Sequence, residues 1–98
     1  MKFIQILEFQ TSRMDEMDEL EAKWRAATAG RRTTVRDLKT QDRDRPGTYM
    51  VIVEFDSYED AMKNNALSET QEMAEAMAEL ADGPATFRNL DVLEEHSG

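Results

Sequence analysis

The residues of this chain best suited to chemistry lie in KNNALSETQ, positions 63 to 71, where two adjacent carboxamides, Asn64 and Asn65, interrupt a helical pattern. Upstream, SYEDAMK starts helically; downstream, SETQEMAEAMAEL starts again, with Ser68 and Gln71 at the spacing of a capping box. Asparagine is a poor interior helix residue because its amide competes for backbone hydrogen bonds, so the helix is predicted to bend over residues 64 to 67. One reading makes Asn64 and Asn65 the polar lip of a pocket floored by Tyr49 and roofed by Met62, Leu67 and Trp24. The other makes the break a kink that wraps a helix around a sheet, both amides satisfying local backbone.

Arg36 completes the set of candidate ligand contacts with Asn64, Asn65, Tyr49 and Trp24. In such a site polar groups orient an enolate or phenolate while apolar walls exclude water. A second constellation is Glu8, Glu54, Arg36 and Arg88. If Glu8 and Glu54 end two parallel, adjacent central strands, each sits near an arginine that begins an outer strand. Two Glu-Arg pairs at one end of the sheet either hold a proton for a substrate or fix the register of a dimer. His96, the only histidine, falls in the EEHSG tail, where solvation is its ordinary fate. With no cysteine and one histidine, no transition-metal site is expected, and no cofactor: neither a Gly-rich phosphate loop nor a nucleophile elbow occurs.

These side chains must be positioned by 98 residues, 40% apolar and 34% charged, enough for one domain over positions 1–98 with a modest core and a flexible tail at 94–98. Association with a second copy is an economical way to bury more surface. The opening MKFIQILEFQ has one lysine and too short an apolar run for a signal peptide or membrane span, so a cytoplasmic location is expected. The net charge of -9 argues against nucleic-acid or anionic-membrane partners. Residues 31 to 45 do hold six Lys/Arg against three Asp, but no aromatic residue interleaves them as a base-stacking platform requires.

FIQILEF (3 to 9) reads as a buried strand. The period then changes: after Ser12, a candidate N-cap, Met14, Met17, Leu20, Trp24 and Ala27 share one side of a helix over residues 13 to 29, stopped by Gly30. RTTVRDLKTQ (32 to 41) and TYMVIVEF (48 to 55) are strands joined through DRDRPG as a hairpin. Ser57, with Asp60 three residues on, opens the interrupted helix; DGP at 82 to 84 closes it, and ATFRNLDVL (85 to 93) is the last strand. LEFQTS and VEFDS, at 7 to 12 and 53 to 57, repeat one device: a strand ending in Glu-Phe that runs into a helix. This βαββαβ order is the split βαβ plan of an α+β, ferredoxin-like domain, sheet order 4-1-3-2. Both alternations of the central strands are apolar, so the face without helices calls for a cover, and a twin sheet supplies one.

With MKFIQILEF, RDRPGTYMVIVEF, NNALSETQEMAEAMAEL and DGPATFRNLDVL spread over nearly its whole length, the chain resembles the dimeric α/β-barrel superfamily. It is most similar to the small proteins grouped with the antibiotic-biosynthesis monooxygenases. The resemblance implies two sheets packed face to face between subunits, and an organic molecule held in each subunit between sheet and helices. Relatives that degrade haem use an Asn on the first strand and a Trp and a His at the second helix. Gln5 stands on the first strand here, and no Trp follows Trp24, so haem oxygenation is not implied. Cofactor-independent oxygenases of aromatic polyketides use Asn, Trp, Tyr or Arg side chains. Residues of those kinds occur at Asn64, Asn65, Trp24, Tyr49, Arg36 and Arg88, without a motif that assigns roles. The expectation is a homodimer that binds a small, mainly apolar organic ligand, either as a cofactor-independent monooxygenase or isomerase, or as a noncatalytic ligand-sequestering or interaction module.

Overall fold

The computed structural model describes residues 1–98. In chain order it shows β1 (Phe3–Gln10), α1 (Met14–Ala27), β2 (Thr34–Gln41), β3 (Thr48–Phe55), α2 (Tyr58–Asn65), α3 (Ser68–Leu80) and β4 (Thr86–Asp91). The strands form one sheet in the order β2-β3-β1-β4, the 4-1-3-2 arrangement of a ferredoxin-like fold read from its other edge. No helix is long and apolar enough to cross a membrane.

Every neighbouring pair in this sheet is antiparallel, which corrects the expectation of parallel central strands. The hairpin between β2 and β3 reverses the chain once more after the α1 crossover, so β3 must run against β1. The register then separates the charged residues. Across the sheet, one row of its open face reads Arg36, Glu54, Ile4, Leu90; the next reads Leu38, Ile52, Ile6, Arg88; the third reads Thr40, Met50, Glu8, Thr86. Glu8 and Glu54 therefore lie in the outer rows with the apolar pair Ile6 and Ile52 between them. Arg36 Nε reaches Glu54 at 3.4 Å, joined by Lys2 Nζ at 3.5 Å, while Glu8 pairs with Arg45 of the hairpin loop at 3.7 Å. Arg88 is opposite Ile6 and pairs with neither glutamate, so the four-residue cluster does not form.

Strand alternation sends Phe3, Leu7 and Phe9 of β1 and Val51, Val53 and Phe55 of β3 to the helical side. Phe55, 1% exposed, packs with Phe3, Ala61 and Val53, and Tyr58 meets Phe3 edge-on at a centroid distance of 5.3 Å. This cluster seats α2 on the sheet. Its start is fixed as the sequence predicts: Ser57 Oγ accepts from the Asp60 N–H at 3.1 Å. The other two predicted caps differ. Ser12 is exposed and makes no cap; the residue before α1 is Arg13, whose N–H is taken by Thr11 Oγ1 at 3.0 Å. Ser68 is already helical, and α3 begins after Leu67 without a side-chain cap. Gly30 does end the α1 segment, at φ 79°, where only glycine turns without strain. Just before it, Thr28 donates its hydroxyl to the Trp24 carbonyl at 2.7 Å.

Between Thr34 and Arg36 the β2–β3 register slips by one residue, leaving Val35 as a bulge on the sheet edge. Phe55→Ala should destabilise the chain by about 3–5 kcal/mol, read as a drop in the urea midpoint with an unchanged slope.

Candidate functional site

A hollow forms because the interrupted helix does two jobs. The first segment, α2, lies on β2 and β3; the second, α3, packs mainly along α1. The change of direction falls at Leu67, whose φ of −63° and ψ of 132° are extended rather than helical. Both ends of α3 are tied down. At its N-terminus Arg31 pairs with Glu69, and the Trp24 indole Nε1 donates to Thr70 Oγ1 at 2.9 Å. At its C-terminus Thr11 Oγ1 donates to the Leu80 carbonyl at 2.8 Å, and the Asp82 N–H to the Gln10 carbonyl at 2.7 Å. No residue of α3 is buried. A helix fastened at its ends and along one flank bridges the sheet, and beneath it opens a cavity of about 590 Å³.

Leu7, Phe9, Val51 and Val53 form the floor; Met17, Trp24, Met73 and Met77 form the roof. Long, flexible methionines let the roof adapt to different shapes. Where α2 ends, Asn64 and Asn65 stand in the wall. Asn64 is only 5% exposed and its Oδ1 has no hydrogen-bond partner. Buried acceptors are normally paired, because an unmet one costs about 1–3 kcal/mol.

The edge of the cavity between α1 and β2 is charged. Arg25 Nη2 binds Glu21 at 3.0 Å and Asp37 at 3.2 Å, while Lys39 Nζ binds Asp18 and reaches Glu21 at 3.4 Å. The bond to Glu21 holds Arg25 above its ordinary pKa, and the bond to Asp18 does the same for Lys39. The guanidinium carbons of Arg25 and Arg32 lie 5.8 and 5.5 Å from the Trp24 ring centre. The opposite edge, between α3 and β4, has no such ladder. There Ala74, Ala78 and Ala81 of α3 and its exit face Phe87, which is 71% exposed although it lines the cavity.

The sequence-derived candidates divide accordingly. Asn64, Asn65 and Trp24 line the cavity. Tyr49 shares the helical face of the sheet but stacks on Phe9, centroids 5.9 Å apart, and is not in the wall. Arg36 lies on the open face with Glu54, on the wrong side of the sheet for this cavity. Met62 and Leu67, expected in the roof, are absent from it, and Met62 is exposed. His96 is exposed beside Glu94 at 3.2 Å. Sequence reasoning missed Thr70, the charged edge and the alanine-lined slot; each arises from how α1, α3 and the sheet edges meet, and no local pattern carries that.

No protein-family model matches the chain, and no curated protein does. Among solved structures the fold recurs widely. SnoaB, a cofactor-independent oxygenase from Streptomyces nogalater, superposes with a TM-score of 0.79 at 16% identity, over 96% of this chain and 95% of that one. Rv0793 from Mycobacterium tuberculosis gives 0.80 at 14% identity, over 99% and 100%. A protein assigned provisionally to the antibiotic biosynthesis monooxygenases, from Caulobacter crescentus CB15, gives 0.81 at 14%, over 95% and 91%. The chain thus has the fold of the antibiotic-biosynthesis-monooxygenase-like proteins, as the resemblance in its sequence implies.

The tie at the start of α3 is sensitive to acid. The Arg31 guanidinium, then the backbone N–H of Glu69 itself, hold the Glu69 carboxyl down from 4.5 to about 2. A lowered carboxylate pKa stabilises the fold above the ordinary value, and the effect fades as pH falls through the lowered one. Glu69→Gln should lower the melting temperature slightly at neutral pH, as for an exposed pair. That difference from the parent should shrink as pH drops from 4.5 towards about 2.

Proposed function

We propose that this protein is a homodimer in which each subunit binds a small, mainly apolar organic molecule in the cavity between sheet and helices. The observation that carries the reading is a largely apolar hollow of about 590 Å³ between sheet and helices with two carboxamide residues, Asn64 and Asn65, in its wall. Small-molecule sites commonly have this size and this make-up, apolar walls with a few placed polar groups. Asn64 and Asn65 supply those polar groups, and Trp24, locked by Thr70, gives a flat apolar wall.

Dimerisation has a separate physical basis. The open face of the sheet carries Ile4, Ile6, Met50 and Ile52 in its centre, all at least partly exposed, with Leu38 46% and Leu90 41% exposed beside them. A contiguous apolar face bordered by ion pairs has the composition of an interface, and a second copy offers the matching surface. Two sheets so joined make the α/β barrel.

The reaction class we assign is oxygenation of an activated carbon without a cofactor. The fold shared with SnoaB, a cofactor-independent oxygenase, supports this, as do carboxamides beside a largely apolar hollow. In a model reaction, anthrone and dioxygen give anthraquinone and water: the ring methylene loses both hydrogens and gains one oxygen atom, and the second oxygen leaves as water. A second reading, ligand sequestration without chemistry, is favoured by one observation: each carboxylate in the wall, Asp18, Glu21 and Asp37, is already tied to a cation and so is not free to act as a base.

Anthrone titrated under air, with a chelator present, separates these readings. Saturable quenching of Trp24, the only tryptophan, with faster formation of anthraquinone that Asn64→Leu abolishes, supports the oxygenase. Quenching without turnover supports sequestration, and neither quenching nor turnover removes the cavity reading. In sedimentation at micromolar concentration the parent chain should run as a dimer and Ile52→Lys as a folded monomer.

A further inference from the structure

We infer that ligands enter and leave the cavity through a mouth between α3 and β4, framed by Ala74 and Ala78 on the helix and Phe87 on the strand, and that these three side chains set what passes. This deepens the reading proposed above and rests on it.

The mouth shows in residues that line the hollow and meet solvent at once. Ala74, Ala78 and Phe87 all do: each belongs to the wall and each is exposed, Phe87 by 71%. β4 is a border strand, bonded to β1 alone, and all six of its residues are exposed. Phe87 pairs with Leu7 across the sheet and so stands on the helical side, next to the floor. No helix packs extensively on this strand: α2 rests on β2 and β3, and α3 packs mainly along α1. The chain itself bounds one end of the opening, where Gly83, Pro84 and Ala85 lead from α3 to β4 and join the wall. Inside stand the unpartnered carboxamide N–H groups of Asn64 and Asn65.

The edge between α1 and β2 offers no such passage. Arg25 bridges Glu21 and Asp37 there, and Lys39 bridges Asp18 and Glu21. A ligand entering by that side would have to part these pairs and leave charges facing an apolar space. Between α3 and β4 no hydrogen bond or ion pair has to break. An exposed phenyl ring changes rotamer within about nanoseconds, so Phe87 can yield to a passing molecule.

The composition of α3 fits this division. Ala74 and Ala78 are four residues apart, on one side of the helix, and present only methyl groups. Met73 and Met77, each one residue earlier, are partly buried in the roof. A longer side chain at Ala74 or Ala78 would reach into the opening towards Phe87.

Stopped-flow mixing with anthrone under argon, where binding is read without oxidation, tests the idea through quenching of Trp24. Ala78→Phe should slow association and release alike by about tenfold, because both cross one crowded constriction, and Kd should move far less than either rate. Phe87→Ala, at a mainly exposed position, should speed both by about threefold. Slower association with unchanged or faster release would make Ala78 a ligand contact rather than a doorway, and overturns the inference. So do rates that Ala78→Phe leaves as in the parent, or rates that Lys39→Met raises by opening the α1–β2 edge. Each of these results leaves the cavity as a ligand site, whereas no quenching in the parent chain overturns the proposed function as well. If Ala78→Phe does not fold, Phe87→Ala decides: unchanged or slower rates overturn the inference.

Discussion

The site depends on α3 being suspended rather than seated. A helix laid on a sheet fills the space below it with its own side chains; this one is fastened to α1 and to the strand ends. Four local attachments do the work: Arg31 to Glu69, Trp24 to Thr70, Thr11 to Leu80 and Gln10 to Asp82. The interruption at Ala66 and Leu67 is what makes this possible, since a continuous helix starting at Ser57 on β2 and β3 would have stayed on the sheet. Asn64 sits at the hinge of that change in direction, and so its amide is buried without being built into the core.

The sheet then acts as a partition. Its helical side holds the cavity, and its open side holds one row with Leu38, Ile52 and Ile6 between two rows that carry ion-paired glutamates. Alternation along β1 and β3 divides the side chains: Leu7 and Val51 turn to the helical side and line the hollow, while Ile6 and Ile52 turn to the open face, although Ile6 also borders the hollow. A substitution on one side can therefore leave the other side chemically unchanged.

Element order, strand count and sheet order were legible in the sequence because they rest on local periodicity and on one cap, Ser57, that behaves as its type dictates. The other caps were less legible. In LEFQTS, Thr11 and Ser12 are adjacent hydroxyls, and only the fold selects Thr11, because the chain end of α3 comes close enough for it to reach Leu80. The Glu8 and Glu54 grouping failed for a topological reason: both glutamates occupy the same place in their strands, but the strands run in opposite directions. Asn64, Asn65 and Trp24, which line the cavity, stand out in the sequence as a helix-breaking pair and part of an apolar stripe. That Tyr49 and Arg36 lie away from the cavity wall depends on which face, and which end, each occupies, and local pattern does not carry that. The pairing of Trp24 with Thr70 spans 46 residues, a distance at which no sequence pattern speaks.

The bulge at Val35 has a consequence for how copies of this chain can meet. β2 is a border strand, and a regular border leaves a ladder of free amides and carbonyls on which another molecule can continue the sheet without limit. The extra residue breaks the spacing of that ladder, and the neighbouring Arg36 and Lys39 add charge to it. Growth sideways into a ribbon is discouraged at this border, which leaves the broad flat surface for the association proposed above.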